Sequence, residues 1–402
     1  MTLVNSVGYR VHHGILVDRQ GEVVDEVLAT VFRAPNSYTG EDVVEISCHG
    51  GIVVTAGVLK TILDAGARAA EPGEFTRRAF LNGKIDLARA EAVAEVISSR
   101  SASGLRSSLE QLQGKLSGVV SGLRSELVDL RGLLELELDF SEEGIELVQK
   151  DHLISRIQNA THQMQDLIGS YEQGRVYRDG VTVAILGKPN AGKSSLFNSL
   201  LQSDRAIVSP IPGTTRDHIE EEIQLDGVRF RLTDTAGLRE GAEEIEAAGI
   251  RRSIQVADRS DIILHVVDVT VSETVPQGEP RKIIVLNKAD LINGSAVPRG
   301  GILVSSLTGF GLSELRKAIC SAAIQSHSAI ASTIVTSQRH VRALVEAVDF
   351  LRAAARSINR GDPGEVTALE LRSATDSLDQ ITGAITTDEI LDGVFGRFCI
   401  GK

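Results

Sequence analysis

Cysteine is scarce in this 402-residue chain: Cys48, Cys320 and Cys399 are far apart and odd in number. No disulfide framework is implied, and a reducing cytoplasm fits. Cys48 and Cys320 are expected to be buried structural residues. Long apolar runs are also missing, since no stretch reaches the ~18 apolar residues of a membrane span. The opening MTLVNSVGYRVHHGILVD carries neither a charged-then-apolar signal nor an Arg/Ser-rich transit pattern, so the expected location is cytoplasmic. Positive charge is the third deficit. With 42 Lys and Arg against 54 Asp and Glu, the net charge is −12. That argues against a protein that simply coats nucleic acid, because phosphate binding needs clustered Lys and Arg. It leaves room for a partner that brings the nucleic acid. Internal repeats and low-complexity segments are absent as well.

What is present is enough for two or three domains: 42% hydrophobic residues for real cores and an ordinary 24% charged. Residues 9–60 read as strands and turns, with a mixed stretch Val24–Phe32 and a short apolar run in Asp42–Ser47 that ends at His49-Gly50-Gly51. From Asp86 the texture changes. Leu105, Leu109, Leu112, Leu116, Val119, Leu123, Leu127, Leu130 and Leu134 recur every three or four residues, which places them on one stripe of a long helix, as in a bundle. Helical character resumes near Leu153 and runs to about Arg175. At Gly180 short apolar runs begin to alternate with amphipathic stretches: Val181–Leu186, Phe230–Leu232, Ile262–Val267, Ile283–Leu286 and Ile302–Val304. This pattern predicts βαβ units and a mostly parallel sheet. Helix periodicity returns at His340 through Val341, Leu344, Val345, Val348 and Leu351, until Gly361-Asp362-Pro363-Gly364 breaks it.

The chemistry is concentrated in the alternating region. Gly187-Lys188-Pro189-Asn190-Ala191-Gly192-Lys193-Ser194 matches G-x-x-x-x-G-K-[ST]. It follows an apolar strand and precedes a helical stretch, Leu196–Leu201, the context a phosphate-binding loop requires. Its glycines let backbone N–H groups face phosphates, and the helix N-terminus adds positive potential. Lys193 is expected to reach the β- and γ-phosphates and Ser194 to bind Mg²⁺; Ser195 follows in the same turn. Alone, the motif competes with a chance glycine-rich turn. It is followed, in order, by Asp234-Thr235-Ala236-Gly237, Asn287-Lys288-Ala289-Asp290 and Ser305-Ser306-Leu307. Asp234 can act on Mg²⁺ and Gly237 can sense a γ-phosphate. Asp290 can pair with N1–H and the exocyclic amine of guanine, which adenine cannot satisfy, so GTP rather than ATP is the expected nucleotide. The Ser305–Leu307 stretch is placed to support the base. Between the first two motifs stands Gly213-Thr214-Thr215-Arg216-Asp217, in which a threonine can reach Mg²⁺ and order its loop only when the γ-phosphate is present.

In Ras-like proteins a glutamine directly after D-x-x-G orients the attacking water. Here that position is Leu238, which cannot. A downstream carboxylate from Glu243, Glu244 or Glu246 is available instead, although any one of them could equally belong to a solvated helix face.

Taken together, G-K-P-N-A-G-K-S-S, P-G-T-T-R-D, D-T-A-G-L-R-E and N-K-A-D inside a helical region, with F-C-I-G-K at the end, resemble the MnmE/TrmE family of tRNA-modification GTPases. Residues 36–51, N-S-Y-T-G-E-D-V-V-E-I-S-C-H-G-G, and 72–92, P-G-E-F-T-R-R-A-F-L-N-G-K-I-D-L-A-R-A-E-A, resemble it too, so the likeness covers nearly the whole chain. The resemblance implies a multidomain α+β and α/β fold. An N-terminal α+β domain (1–84) would serve folate binding and homodimerisation. A discontinuous helical bundle (85–178 and 328–402) would surround an inserted Ras-like P-loop GTPase domain (179–327). It implies a GTP hydrolase that works with the flavoprotein MnmG/GidA, in a heterotetramer or larger assembly, on the wobble uridine of certain tRNAs. A carboxymethylaminomethyl-type group is added at carbon 5, with a 5-formyl- or methylene-type tetrahydrofolate as one-carbon donor. Hydrolysis in the family is promoted when two GTPase domains meet around K⁺.

Carried over by motif position, Asn190 resembles the K⁺ ligand of the phosphate loop, and Ser209, Ile211 and Thr214 resemble the loop that encloses the ion, with Pro210, Pro212 and Gly213 between them. Ser194 and Thr215 resemble Mg²⁺ ligands. Glu246 resembles the glutamate that orients water. Glu45, Lys84 and Lys402 match folate-contacting positions, and Cys399 matches the terminal cysteine thought to take part in modification. Family members usually begin with a strand resembling A-T-P-x-G-x-G-A-I-x-x-I-R-x-S-G, whose arginine also contacts folate; nothing of the kind precedes Tyr9. The tail C-I-G-K is a poor prenylation box, because Gly401 and Lys402 do not suit its aliphatic and terminal positions. A rival reading, a GTP-regulated ribosome-assembly switch, shares the GTPase motifs and would need neither the tail nor the folate-like region.

Overall fold

A computed structural model of the chain describes residues 6–139, 149–203, 220–234, 256, 260–271, 281–292, 300–325 and 333–401. The chain divides into two compact units: residues 1–98, 108–160 and 346–402 form one, and 99–107 with 161–345 the other.

The first unit opens with a three-stranded antiparallel sheet of β1 (Arg10–Val17), β2 (Val23–Phe32) and β3 (Val43–Ser47), in that order. Val27, Ala29 and Val31 of β2 are buried while Leu28 is exposed, the period-two alternation of a sheet with one covered face. Helices α1 (Ile52–Asp64), α2 (Glu74–Leu81) and α3 (Leu87–Ser98) follow. The expectation of strands and turns through residue 60 therefore fails at Ile52. Val53 and Val54 favour strands locally, but Val54, Val58 and Ile62 turn inward at helical spacing, and packing overrides propensity. Cys48 is only half-buried, contrary to expectation.

The single long helix expected from Leu105 to Leu134 is two: α4 (Ala102–Leu112), whose first residues belong to the second unit, and α5 (Lys115–Asp139). Gly114 separates them at φ 89, a left-handed conformation that ends a helix at little cost only for glycine. The leucine stripe divides accordingly. Leu116, Val120, Leu123, Leu127, Leu130 and Leu134 of α5 are buried, whereas Leu105 and Leu109 of α4 are partly exposed. Helix α6 (Lys150–Gly169) buries Leu153, Ile157 and Met164, and Arg156 ties it to Glu126 of α5 at 2.6 Å. The helical run expected to about Arg175 breaks at Ser170, where α7 (Tyr171–Asp179) begins.

The second unit is a six-stranded sheet in the order β5-β6-β4-β7-β8-β9. Its strands are β4 (Val181–Gly187), β5 (Glu220–Leu225), β6 (Val228–Asp234), β7 (Ile262–Asp268), β8 (Lys282–Asn287) and β9 (Ile302–Leu303). Helix α8 (Lys193–Ser203) follows β4, and α9 (Leu312–Gln325) follows β9. All neighbours are parallel except edge strand β5, which forms a hairpin with β6. The mostly parallel sheet is thus observed, and β4 is apolar on both faces as a covered central strand must be. The hairpin turns at Asp226-Gly227, both at positive φ (47 and 80), as a tight two-residue turn demands. The Gly227 carbonyl accepts from the Ser103 N–H at 3.3 Å. Val176 of α7 is buried in the sheet's core with Phe230, Leu232 and Ile319.

Helices α10 (Gln338–Arg360), α11 (Gly364–Thr382) and α12 (Asp388–Phe395) complete the chain. The break expected at residues 361–364 separates the first two. Leu371, Ala374, Leu378 and Ile381 of α11 are buried, and α11 packs along α5, where Arg124 meets Asp379 at 2.6 Å.

Candidate functional site: a nucleotide-binding pocket

The loop between β4 and α8 is shaped by its glycines. Gly187 has φ 152, and a Cβ there would lie 2.3 Å from the Val266 carbonyl oxygen. Gly192 has φ 89, and its Cβ would lie 2.3 Å from Nδ2 of Asn287. No side chain fits at either place, so only glycine allows the backbone this curl. Asn190, at φ 64, is exposed at the tip, and Ser194 and Ser195 are exposed at the first turn of α8. Lys193 is buried at 9% exposure and donates from Nζ to the carbonyls of Gly187 (3.0 Å) and Lys188 (2.9 Å). The ammonium is therefore held across the mouth of the loop, where phosphate oxygens would face it.

Strand β8 brings Asn287 and, just after it, Lys288, Ala289 and Asp290 beside this loop. Asn287 is 1% exposed and does not point outward. Its Nδ2 donates to the Ala191 carbonyl at 3.0 Å, and its Oδ1 accepts from the Ser306 N–H (3.1 Å) and hydroxyl (2.9 Å). One buried amide thus joins the phosphate loop to the loop after β9. Lys288 reverses the backbone at φ 69, and the Ala289 N–H donates to the Val304 carbonyl at 3.0 Å. Asp290 is exposed, and its Oδ1 accepts from the Ser305 hydroxyl at 2.5 Å. Oδ2 of Asp290 is not used by this bond. Leu307 is 85% exposed, an apolar group presented at the same loop.

The structure thus brings together Asn190, Ala191, Gly192, Lys193, Ser194, Ser195, Asn287, Lys288, Ala289, Asp290, Ser305, Ser306 and Leu307. Asp234 ends β6 in register with Ile185 of β4. Ser209, Pro210, Ile211, Pro212, Gly213, Thr214, Thr215, Thr235, Ala236, Gly237, Glu246 and Lys402 lie outside the described residues. The donors present suit a magnesium nucleotide. The Ser194 hydroxyl is exposed beside the lysine, and the glycine cradle is one a Cβ would fill. Sequence reasoning passed over Asp268, which sits beside Lys288; its signal was an acidic residue closing an apolar strand.

In the first unit, Glu45 is exposed on β3 opposite Thr30, and Lys84 reaches from the turn after α2 to the Pro35 carbonyl at 2.9 Å. No hydrogen bond or ion pair joins the two among the described residues. A cavity of about 250 Å³ is lined by Arg68, Ala70, Glu74, Phe75 and Arg78. Both arginines clamp Glu74 at 2.6 Å; the Arg68 hydrogen bond foremost, then the Glu71 N–H, pulls its carboxyl down to about 2. The chain's end is tied to this unit. Phe398 is buried against Phe395 with ring centres 5.8 Å apart, and Ile400 bridges to Pro72. Cys399 between them is exposed.

The chain resembles known proteins along its whole length. A family model described as the MnmE helical domain matches residues 87–399, and one described as the GTP-binding protein TrmE N-terminus matches residues 3–84. A protein of Chlorobium chlorochromatii named tRNA modification GTPase MnmE is 44% identical, covering 100% of this chain and 89% of its own. Proteins of the same name from Salinibacter ruber (42%; 100% and 91%) and Akkermansia muciniphila (43%; 96% and 87%) are similar. Among solved structures, the G domain of the T. maritima FeoB iron transporter is 26% identical over 36% of this chain and 98% of that one, with a TM-score of 0.25. With both family models matched and relatives aligned along its whole length, the chain belongs to the MnmE family of GTPases.

Proposed function

We propose that this protein is a tRNA-modification GTPase. It binds GTP with Mg²⁺, hydrolyses it, and with a flavoprotein of the MnmG/GidA kind adds a carboxymethylaminomethyl-type group at carbon 5 of the tRNA wobble uridine. The observation that carries the reading is the buried Asn287 amide, which ties the phosphate loop at Ala191 to Ser306, next to the Ser305 hydroxyl that holds the guanine-selective carboxylate Asp290. Acting as a GTPase alone would not require an N-terminal domain of this family or an exposed cysteine on an anchored tail; both support the modification role. In this reading residues 1–84 bind the tetrahydrofolate donor, through Glu45 and Lys84 with Lys402, and form a homodimer. Residues 85–178 and 328–402 form the helical domain, and 179–327 the GTPase domain. The working compartment is the cytoplasm.

Hydrolysis is assigned to Lys193, Thr215 and Glu246, the last orienting water in place of the missing glutamine. Asn190, at the exposed tip of the loop, offers an amide oxygen for K⁺ with Ser209, Ile211 and Thr214. That ion would supply the charge an arginine finger provides elsewhere. Nucleoside analysis by mass spectrometry of tRNA from cells lacking the gene tests the whole reading: the modified wobble uridine should disappear and return on complementation. A normal nucleoside profile in the deletion strain overturns it. Hydrolysis should also run faster in potassium than in sodium at equal ionic strength, and Asn190→Ala should erase the difference; equal rates in the two salts overturn the potassium assignment.

A further inference from the structure

Beside the base-recognition residues lies a carboxylate that none of the motifs includes. Asp268 closes β7 directly opposite Asn287 in the parallel pairing with β8. Its Oδ2 lies 2.5 Å from Nζ of Lys288. Its Oδ1 accepts from the Thr270 N–H at 3.0 Å and the Thr270 hydroxyl at 2.6 Å. The side chain is only 15% exposed. Burial pushes this carboxyl up, but Lys288 and the two Thr270 donors outweigh it and hold it below the usual range, so it is charged at neutral pH.

The consequence falls on Lys288. Its backbone is fixed on both sides, by Asn287 tied to Ala191 and by the Ala289 N–H on Val304. A free lysine side chain samples many rotamers, and ordering it on ligand binding opposes affinity. With the ammonium already anchored on Asp268, the methylene stem is preset before any nucleotide arrives. Such a stem offers an apolar wall between Asn287 and Asp290, where the flat face of a purine must lie if Asp290 is to meet its edge.

We propose that Asp268 is a positioning residue for guanine-nucleotide binding: it holds the Lys288 ammonium so that the lysine stem forms one wall of the base pocket. The proposal rests on the nucleotide-site reading above and adds a residue outside the four motifs. Because the wall touches the base and not the phosphates, it acts equally on GDP and GTP. Interactions of this uniform kind change KM and leave kcat alone.

The experiment uses the full-length protein and fluorescent GDP and GTP analogues. Asp268→Asn keeps an acceptor for Thr270 but loses the charge facing Lys288. It should weaken both nucleotides by the same factor, roughly tenfold. KM for GTP should rise in step while kcat at saturation stays within about twofold. Lys288→Met keeps an apolar stem of similar length without the anchored ammonium. It should weaken binding comparably, and adding Asp268→Asn to it should bring almost no further loss. Thr270→Val removes the hydroxyl contact but spares the ion pair, and should bind almost normally. Unchanged affinity in Asp268→Asn, additive losses in the double variant, or an equal loss in Thr270→Val each overturns the proposal. Should Asp268→Asn fail to fold, the comparison of Lys288→Met with Thr270→Val decides, because only the first removes the ion pair. A wild-type protein that fails to prefer guanine over adenine nucleotides would bring down the nucleotide-site reading itself. Normal guanine selectivity with an indifferent Asp268→Asn brings down only the present inference.

Discussion

Asn287 donates its side-chain amide to the main-chain carbonyl of Ala191 across 3.0 Å, so strand β8 grips the loop between β4 and α8 directly. The grip is buried, and the same amide accepts twice from Ser306. Truncation leaves the buried Ala191 carbonyl and the half-buried Ser306 groups without it. Asn287→Ala should therefore weaken GTP and GDP by ~10²-fold and lower stability by roughly 1–3 kcal/mol. Nucleotide titration and thermal unfolding are the measurements; binding within twofold of wild type would contradict the tie.

Base selectivity should follow Asp290. Its carboxylate is oriented by the Ser305 hydroxyl at 2.5 Å. Asp290→Asn should weaken GTP by roughly ten- to a hundredfold and shift preference toward xanthosine triphosphate, whose ring presents an acceptor where guanine presents a donor. Ser305→Ala should cost less, because it removes only the orienting group. Competition between the two nucleotides reads both effects, and unchanged GTP affinity in Asp290→Asn would rule the residue out of base recognition.

Acid sensitivity of the first unit should trace to Glu74. Its folded carboxyl is held at about 2 against an ordinary 4.5, so the ionised form is favoured in the fold. A depressed carboxylate contributes stability above its unfolded value and loses it as pH falls toward the folded one. Glu74→Gln should thus be less stable than wild type at neutral pH, with the gap closing between about 4.5 and about 2. Denaturant midpoints across that range give the test; a gap independent of pH would show that charge is not the cause.

The tail separates structure from chemistry. Cys399 is exposed while its neighbour Phe398 is buried, so the thiol contributes little packing. Cys399→Ser should keep its melting temperature and its GTP hydrolysis, yet fail to restore wobble-uridine modification in cells lacking the gene. Full modification by the variant would remove Cys399 from the reaction.

The legible parts of this molecule were those where residue type alone forces geometry. Gly187 and Gly192 stand where a Cβ would collide, so the phosphate loop is written in its glycines. Strands β4, β7 and β8 were visible because covered central strands are mostly apolar, with many buried side chains. Failures came where two local signals competed. The leucine spacing across residues 105–134 concealed the stop at Gly114, and the valines at 53 and 54 concealed α1. Asp268 was invisible for another reason. Its role exists only through the pairing that sets β7 beside β8 and Asp268 opposite Asn287, and which strands become neighbours across a crossover is not visible in either strand alone.

The hairpin tip at Gly227 and the buried Val176 bear on how this molecule can be taken apart. A fragment cut at 179–327 would leave behind Ser103, which caps the turn, and Val176, which fills the sheet's core. Arg178 and Thr336, which are hydrogen-bonded to each other, would also stay behind. The severable piece is therefore sewn together from two stretches of chain, 99–107 and 161–345, and an excised GTPase module that omits the stretch around Ser103 and helix α7 would carry an open wound in its core.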